Sequence, residues 1–131
     1  MTIEVKNTNK TIDYIKSMKM LEKRVDEVLL GKKNELLWVL EHKPVYTGGV
    51  NYQKKDILDK KLKVIQSNRG GKITFHGPGQ KVVYFVLNLN KRGKDIRKLI
   101  NKIENSIIDF LKIYKIKARA DKKNIGIWIK N

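Results

Sequence analysis

The sequence predicts an α+β domain, a central mixed β-sheet with flanking helices, and three observations predict it. Two long segments repeat their apolar residues with the period of a helix. Several shorter runs are rich in β-branched and aromatic residues and read as strands. The two kinds of segment do not alternate strictly, which sets the chain apart from a doubly wound α/β protein.

The first helix is expected over 11–30, where Tyr14, Met18, Leu21, Val25 and Val28 fall on one face. Thr11 stands where a capping side chain is wanted, and Gly31 where a left-handed residue closes a helix. Residues 35–42 read ELLWVLEH, a continuous apolar centre suited to a strand covered on both faces. Residues 43–52 (KPVYTGGVNY) are loop-like, punctuated by Pro44 and Gly48-Gly49. Strands follow at 63–67, 72–76 and 80–89, the last holding VVYFVL. The second helix is the clearest element, because Ile96, Leu99, Ile103, Ile107, Phe110 and Tyr114 form one stripe with Asp95 at its start. Short strands around 116–120 and 125–129 close the chain. In the last of these Ile125, Ile127 and Ile129 alternate, with no later strand to pair with, which reads as a fold cut before it is covered.

Length and composition narrow the function. The 131 residues suit a single domain spanning 1–131, and 30 Lys+Arg against 13 Asp+Glu give a net charge of +17. Of the basic residues 25 are Lys and 5 are Arg, spread along the whole chain, which describes a solvated basic surface. Such a surface attracts acidic partners, an acidic carrier protein as much as a nucleic acid. Base recognition favours Arg interleaved with aromatics, which is scarce here, so nucleic acid is the weaker choice. The absence of Cys removes disulfides, thiolate metal sites and any cysteine nucleophile supplied by these residues. Two His, His42 and His76, make no metal cluster, and no cofactor is indicated. The longest apolar stretch, 82–87, is far short of a membrane span, and the first ten residues lack a signal-peptide core. A soluble, cytoplasmic protein is the expectation.

Residues 66–80 read QSNRGGKITFHGPGQ and carry the chemistry. Gly70-Gly71 between two strands has the composition of a two-residue hairpin turn, and Gly77-Pro78-Gly79 that of another turn. Taken singly, each is an ordinary turn, His76 an ordinary bonded histidine and Arg69 a surface cation. Together they bracket a short strand, so that Arg69, the Gly70-Gly71 amides and His76 are expected to converge at one end of a sheet. Glycine lets backbone N–H groups approach a ligand closely, and Arg and His add donors. The combination suits a carbonyl or phosphate oxygen on a ligand whose other end is apolar. Trp38, Leu40, Val83 and Phe85 are candidates for that apolar end and equally good core residues.

These residues carry a resemblance. The pieces LLWVLEHKPVYTGG at 36–49, SNRGGKITFHGPGQ at 67–80, VVYFVLNLN at 82–90 and GIWIK at 126–130 are similar to the lipoyl(octanoyl) transferases, also called lipoate-protein ligase B. The resemblance implies the fold of the biotin and lipoate protein ligase catalytic domain, with its C-terminal part missing. It also implies an acyl transfer: octanoyl passes from acyl carrier protein to a lysine of the lipoyl domains of 2-oxoacid dehydrogenase complexes and the glycine cleavage protein. The family's acyl-binding segment corresponds to Arg69, Gly70, Gly71, Lys72, Ile73, Thr74, Phe75 and His76. At about 0.8 kcal/mol per buried CH₂, six more methylenes than acetyl give up to ~5 kcal/mol of length selectivity.

The chain departs from that family in one respect. The resemblance implies a cysteine nucleophile and a lysine in a K-I-x-x-[IL]-G segment after the GIWIK-like strand, and neither occurs. Lys130 belongs to the strand and is not assigned that role. About the first two thirds of the family's chain is matched, and the chain alone is expected to be inactive, with no catalytic residue of its own. The competing expectations are a non-catalytic module that grips an acylated carrier protein or lipoyl domain, and a small basic nucleic-acid binder.

Overall fold

A computed structural model describes residues 2–129; Lys130, which closes the GIWIK piece, lies outside the described residues, as do Met1 and Asn131. The backbone divides into two compact units, Met1–Asn88 and Leu89–Asn131.

In the first unit the chain runs through β1 (Ile3–Asn7), α1 (Tyr14–Leu29), β2 (Glu35–Leu40), β3 (Val45–Gly48), a 3₁₀ turn (Lys54–Asp56), β4 (Val64–Gln66), β5 (Ile73–His76) and β6 (Val82–Val86). These strands form two mixed sheets of three, ordered β1-β2-β6 and β4-β3-β5, where the sequence led us to expect one central sheet. In the first sheet β2 is central, parallel to β1 and antiparallel to β6. In the second, β3 is central, parallel to β4 and antiparallel to β5. Two corrections follow from that pairing. The stretch 43–52 holds a strand, β3, and Gly70-Gly71 is not a hairpin turn, because β4 and β5 each pair with β3 and not with each other. The strand β1 had no clear apolar run to announce it.

The helix α1 starts later than the periodicity suggests, because Asp13 rather than Thr11 caps it, its carboxylate accepting from the Lys16 N–H at 3.0 Å. It ends before Gly31, whose φ of 69° is the left-handed conformation expected there. Its apolar face covers one side of the first sheet. Leu36, Trp38 and Leu40 alternate inward along β2 and pack with Val86 and with Val28 of α1, while Ile12, Leu21, Val82 and Tyr84 flank them. Each such side chain, when fully buried, contributes about 1.5–3 kcal/mol. The opposite face is only partly covered. Val5 and Phe85 both pair with Leu37 and are 62% and 42% exposed, so β2 is hemmed in by neighbouring strands but not covered on both faces. Arg24 ties α1 to β1 through Glu4 at 2.6 Å.

The second unit holds a 3₁₀ turn (Leu89–Arg92), α2 (Ile96–Ile113), β7 (Ala118–Ala120) and β8 (Ile127–Ile129). Asp95 caps α2, accepting from the Lys98 N–H at 2.9 Å. The strand β8 pairs antiparallel with β7, so its partner is the preceding strand rather than a later one. No helix among the described residues is long and apolar enough to cross a membrane.

Candidate functional site

The segment singled out in the sequence starts where β4 ends, and its most engaged side chain is Arg69. The guanidinium donates through Nη2 to the Thr47 carbonyl (2.7 Å), the Thr47 hydroxyl (2.9 Å) and the Lys72 carbonyl (2.9 Å). Nε reaches the Thr47 hydroxyl at 3.2 Å and Nη1 the Gly70 carbonyl at 2.9 Å. Thr47 is fully buried in the middle of β3. Arg69 is thus a clasp that fastens 69–72 onto the central strand, a use for which the planar fork of five donors is well shaped.

Backbone bonds close the same seam. Gly49 donates to the Lys72 carbonyl (2.9 Å), Val50 to that of Arg69 (2.9 Å) and Asn51 to that of Gly71 (3.2 Å). The contact is so close that a Cβ on Gly49 would stand 2.3 Å from the Gly71 oxygen. Gly71 itself has a φ of 84°, which a side chain resists. The exposed amide N–H groups of Gly70 and Gly71 have no partner among the described residues, so they are available to an oxygen of a ligand. Lys72 is exposed and pairs with Asp56 at 3.5 Å. The bond from the Gln53 amide, then the Lys72 charge, hold the Asp56 carboxyl below its usual range.

The strand β5 separates this loop from His76. In register, Ile73 lies opposite Gly48, Thr74 opposite Thr47, Phe75 opposite Tyr46 and His76 opposite Val45. The two ends of β5, Ile73 next to the glycine loop and His76, therefore stand about 10 Å apart along the strand. The amides and the imidazole do not converge at one end of the sheet; the span of β5 keeps them at opposite ends. Alternation sends Phe75 to the face where it meets the Tyr46 ring at 5.0 Å. His76 Nδ1 is 2.6 Å from Gln80 Oε1, and its ring lies 5.8 Å from that of His42. Glu41 anchors the 77–79 turn below it, accepting from the Gly79 N–H (2.9 Å) and pairing with Lys81 (3.1 Å).

Three residues that sequence reasoning did not select cluster at this end, Tyr14, His42 and Tyr84, and of these His42 meets the His76 ring. The His42 ring lies 5.3 Å from the Tyr14 ring and 5.8 Å from the Tyr84 ring. Burial pushes the Tyr84 phenol up to about 12, against a smaller downward pull from the Arg69 charge. Burial likewise holds His42 below its usual value. The signal available in the sequence was weak: His42 and Tyr84 stand in quoted segments, and nothing in their spacing shows that they meet.

An open, mainly apolar cavity of about 680 Å³, with Lys19, Glu22 and Gln66 also in its lining, lies beside this cluster. Met18, Leu21 and Val25 of α1 form one wall and Ile65 of β4 the other, with Ser67 and Asn68 leading toward Arg69. Tyr14 belongs both to its lining and to the His42 contact. The four apolar residues considered for a ligand's tail are placed elsewhere. Trp38 and Leu40 are core, 1% and 0% exposed, and Val83 and Phe85 point to the opposite sheet face. Among the described residues no group of acidic, His or Cys side chains could hold a metal ion.

Comparison with known proteins adds the family. The family defined as the lipoyl protein ligase A/B catalytic domain matches residues 13–131. Curated relatives include the octanoyltransferase of Wolbachia pipientis subsp. Culex pipiens (strain wPip), 39% identical over 95% of this chain and 61% of its own length. The octanoyltransferase of Paracoccus denitrificans is 38% identical over 89% of this chain and 54% of its own length. That of Rickettsia conorii is 42% identical over 90% and 58%. The chain thus spans between about half and three fifths of these relatives, less than the two thirds expected from the resemblance.

Proposed function

Because this chain belongs to the lipoyl protein ligase A/B catalytic domain family, we propose that it serves octanoyl transfer in lipoate biosynthesis, in the cytoplasm. The donor is octanoyl-loaded acyl carrier protein and the acceptor a lysine of a lipoyl domain. In the overall transfer the thioester C–S bond breaks, an amide C–N bond forms, and the carrier thiol leaves with the proton lost by the amine. We take residues 1–131 as part of one catalytic domain rather than two domains, since the family match runs through both compact units.

The observation that carries this reading is the apolar cavity between α1 and β4. It gives a fatty tail a place to leave water, next to a polar cluster that can receive the thioester end. The seven helical steps from Tyr14 to Leu21 of α1 span about 10 Å, roughly the length of an extended eight-carbon chain. Within the segment Arg69 to His76, the unpartnered Gly70 and Gly71 amides suit a carbonyl oxygen, and Arg69 keeps their loop in place. The +17 charge supplies attraction for an acidic carrier. These residues contain no cysteine, so the sulfur that the family's acyl-enzyme intermediate requires must come from outside them. By themselves they bind and orient; they do not turn over.

Titration with octanoyl-loaded, acetyl-loaded and unloaded carrier protein tests the reading. Octanoyl-dependent binding supports it, and equal affinity for all three removes it. The lack of cysteine favours a second reading, a non-catalytic acyl-carrier or lipoyl-domain module. Mixing the chain with a polypeptide bearing the family's cysteine and lysine separates the two, because only the enzyme reading yields transfer. A DNA duplex at two salt concentrations covers the nucleic-acid alternative: tight, salt-steep binding with no response to the acyl chain would favour it.

A further inference from the structure

His42, 0% exposed at the corner between β2 and β3, has both ring nitrogens engaged. Nδ1 lies 3.1 Å from the Ile12 carbonyl oxygen, which also accepts from the Lys43 N–H at 3.1 Å. A carbonyl oxygen can only accept, so Nδ1 carries the proton. In the neutral ring Nε2 is then the acceptor, and the Tyr84 hydroxyl, 2.8 Å away, must donate to it. That leaves the phenol oxygen with lone pairs alone to offer the rest of the site. The titratable groups facing His42 are Tyr14 from α1, Tyr84 from β6, His76 from β5 and Asp13 at the start of α1. On its far side His76 is held by Gln80, so its ring is seated between Gln80 and His42.

We infer that His42 and Tyr84 are positioning residues of this site: the hydrogen-bond chain from the Tyr84 hydroxyl through His42 to the Ile12 carbonyl fixes the phenol oxygen as an acceptor and seats the His76 ring. The wiring has one direction. Reversing it would set the unprotonated Nδ1 against a carbonyl oxygen and leave two buried lone pairs facing each other. The functional part of the inference rests on the proposed octanoyl-binding reading, whereas the direction of the bonds does not.

The test uses the whole 131-residue chain labelled with nitrogen-15. Long-range proton–nitrogen spectra read the tautomer of each imidazole from about pH 6 to 8, and carrier titrations run alongside. His42 is expected as the Nδ1–H form. Tyr84→Phe is expected to free Nε2, to move the ring resonances of His76, and to weaken binding of octanoyl-loaded carrier about five- to tenfold. His42→Gln can donate at one end of its amide and accept at the other, and keeps affinity to within about threefold. His42→Ala loses it. An Nε2–H tautomer at His42, or a folded Tyr84→Phe chain with the His76 ring resonances and carrier affinity both unchanged, overturns the inference. Failure of the unaltered chain to bind carrier overturns the proposed function instead, and the tautomer and the His76 ring resonances then decide the inference by themselves.

Discussion

The two compact units differ in what their apolar periodicity achieves. The stripe on α2 is the more regular of the two helical stripes, yet α2 has no buried residue, whereas α1 buries Tyr14, Ser17 and Val28. Among the described residues, the largest fully buried side chains, Trp38, Leu40, His42, Glu35, Thr47 and Ser17, belong to the first unit. In the second, Phe110 is 55% and Ile113 76% exposed. A helical period states which face an element can bury; only packing partners decide whether burial happens. The first unit has them, and the polar site sits on its core.

Substitutions in the two units sharpen that contrast. Leu40→Ala should cost about 2–5 kcal/mol by denaturant unfolding, since it empties the centre of the first unit. A loss below 1 kcal/mol would break the contrast. Next comes Arg69→Ala, expected to cost about 1.5–3 kcal/mol because its bonds to Thr47, Gly70 and Lys72 are made by a charged donor. Hydrogen exchange at Val50 and Asn51 should speed up with it, and unaltered exchange would show that the clasp does not hold the seam.

The effect of pH is smaller and has a definite sign. His42 is held below its usual value in the folded chain, so between that depressed value and about 6.5 the unfolded chain binds the extra proton. Stability from this group is therefore complete above about pH 6.5 and falls as pH drops toward the folded value. The slope should vanish in His42→Gln, and its persistence there would assign it to another group. Smallest is Ile113→Ala in α2, expected within about 0.5 kcal/mol of the unaltered chain. A loss of several kcal/mol would show that α2 buries its stripe in solution.

The elements with a strong repeat were legible: both helices, β2, β6 and the left-handed Gly31 followed from period, cap and composition. What depended on pairing was not. The double glycine has the composition of a hairpin turn because turn composition is local, while the register that sends β4 and β5 to opposite edges of β3 is not. The same holds at the site. Arg69 and His76 stand out by type and motif, but Thr47, which receives Arg69, His42, which meets His76, and Tyr14 and Tyr84, which meet His42, are brought together only by folding. The tail's place was misassigned for a related reason: a run of apolar residues looks alike whether it lines a cavity or fills a core.

The most direct measurement is a titration of this chain and of its Met18→Trp variant with octanoyl-loaded and unloaded carrier protein. Burial of the tail between α1 and β4 predicts that loading strengthens binding at least tenfold in the unaltered chain, and that the indole, by obstructing the cavity midway, reduces the difference to less than about threefold while the chain stays folded. Equal affinity for both carriers in the unaltered chain, or an undiminished preference in the variant, would contradict it.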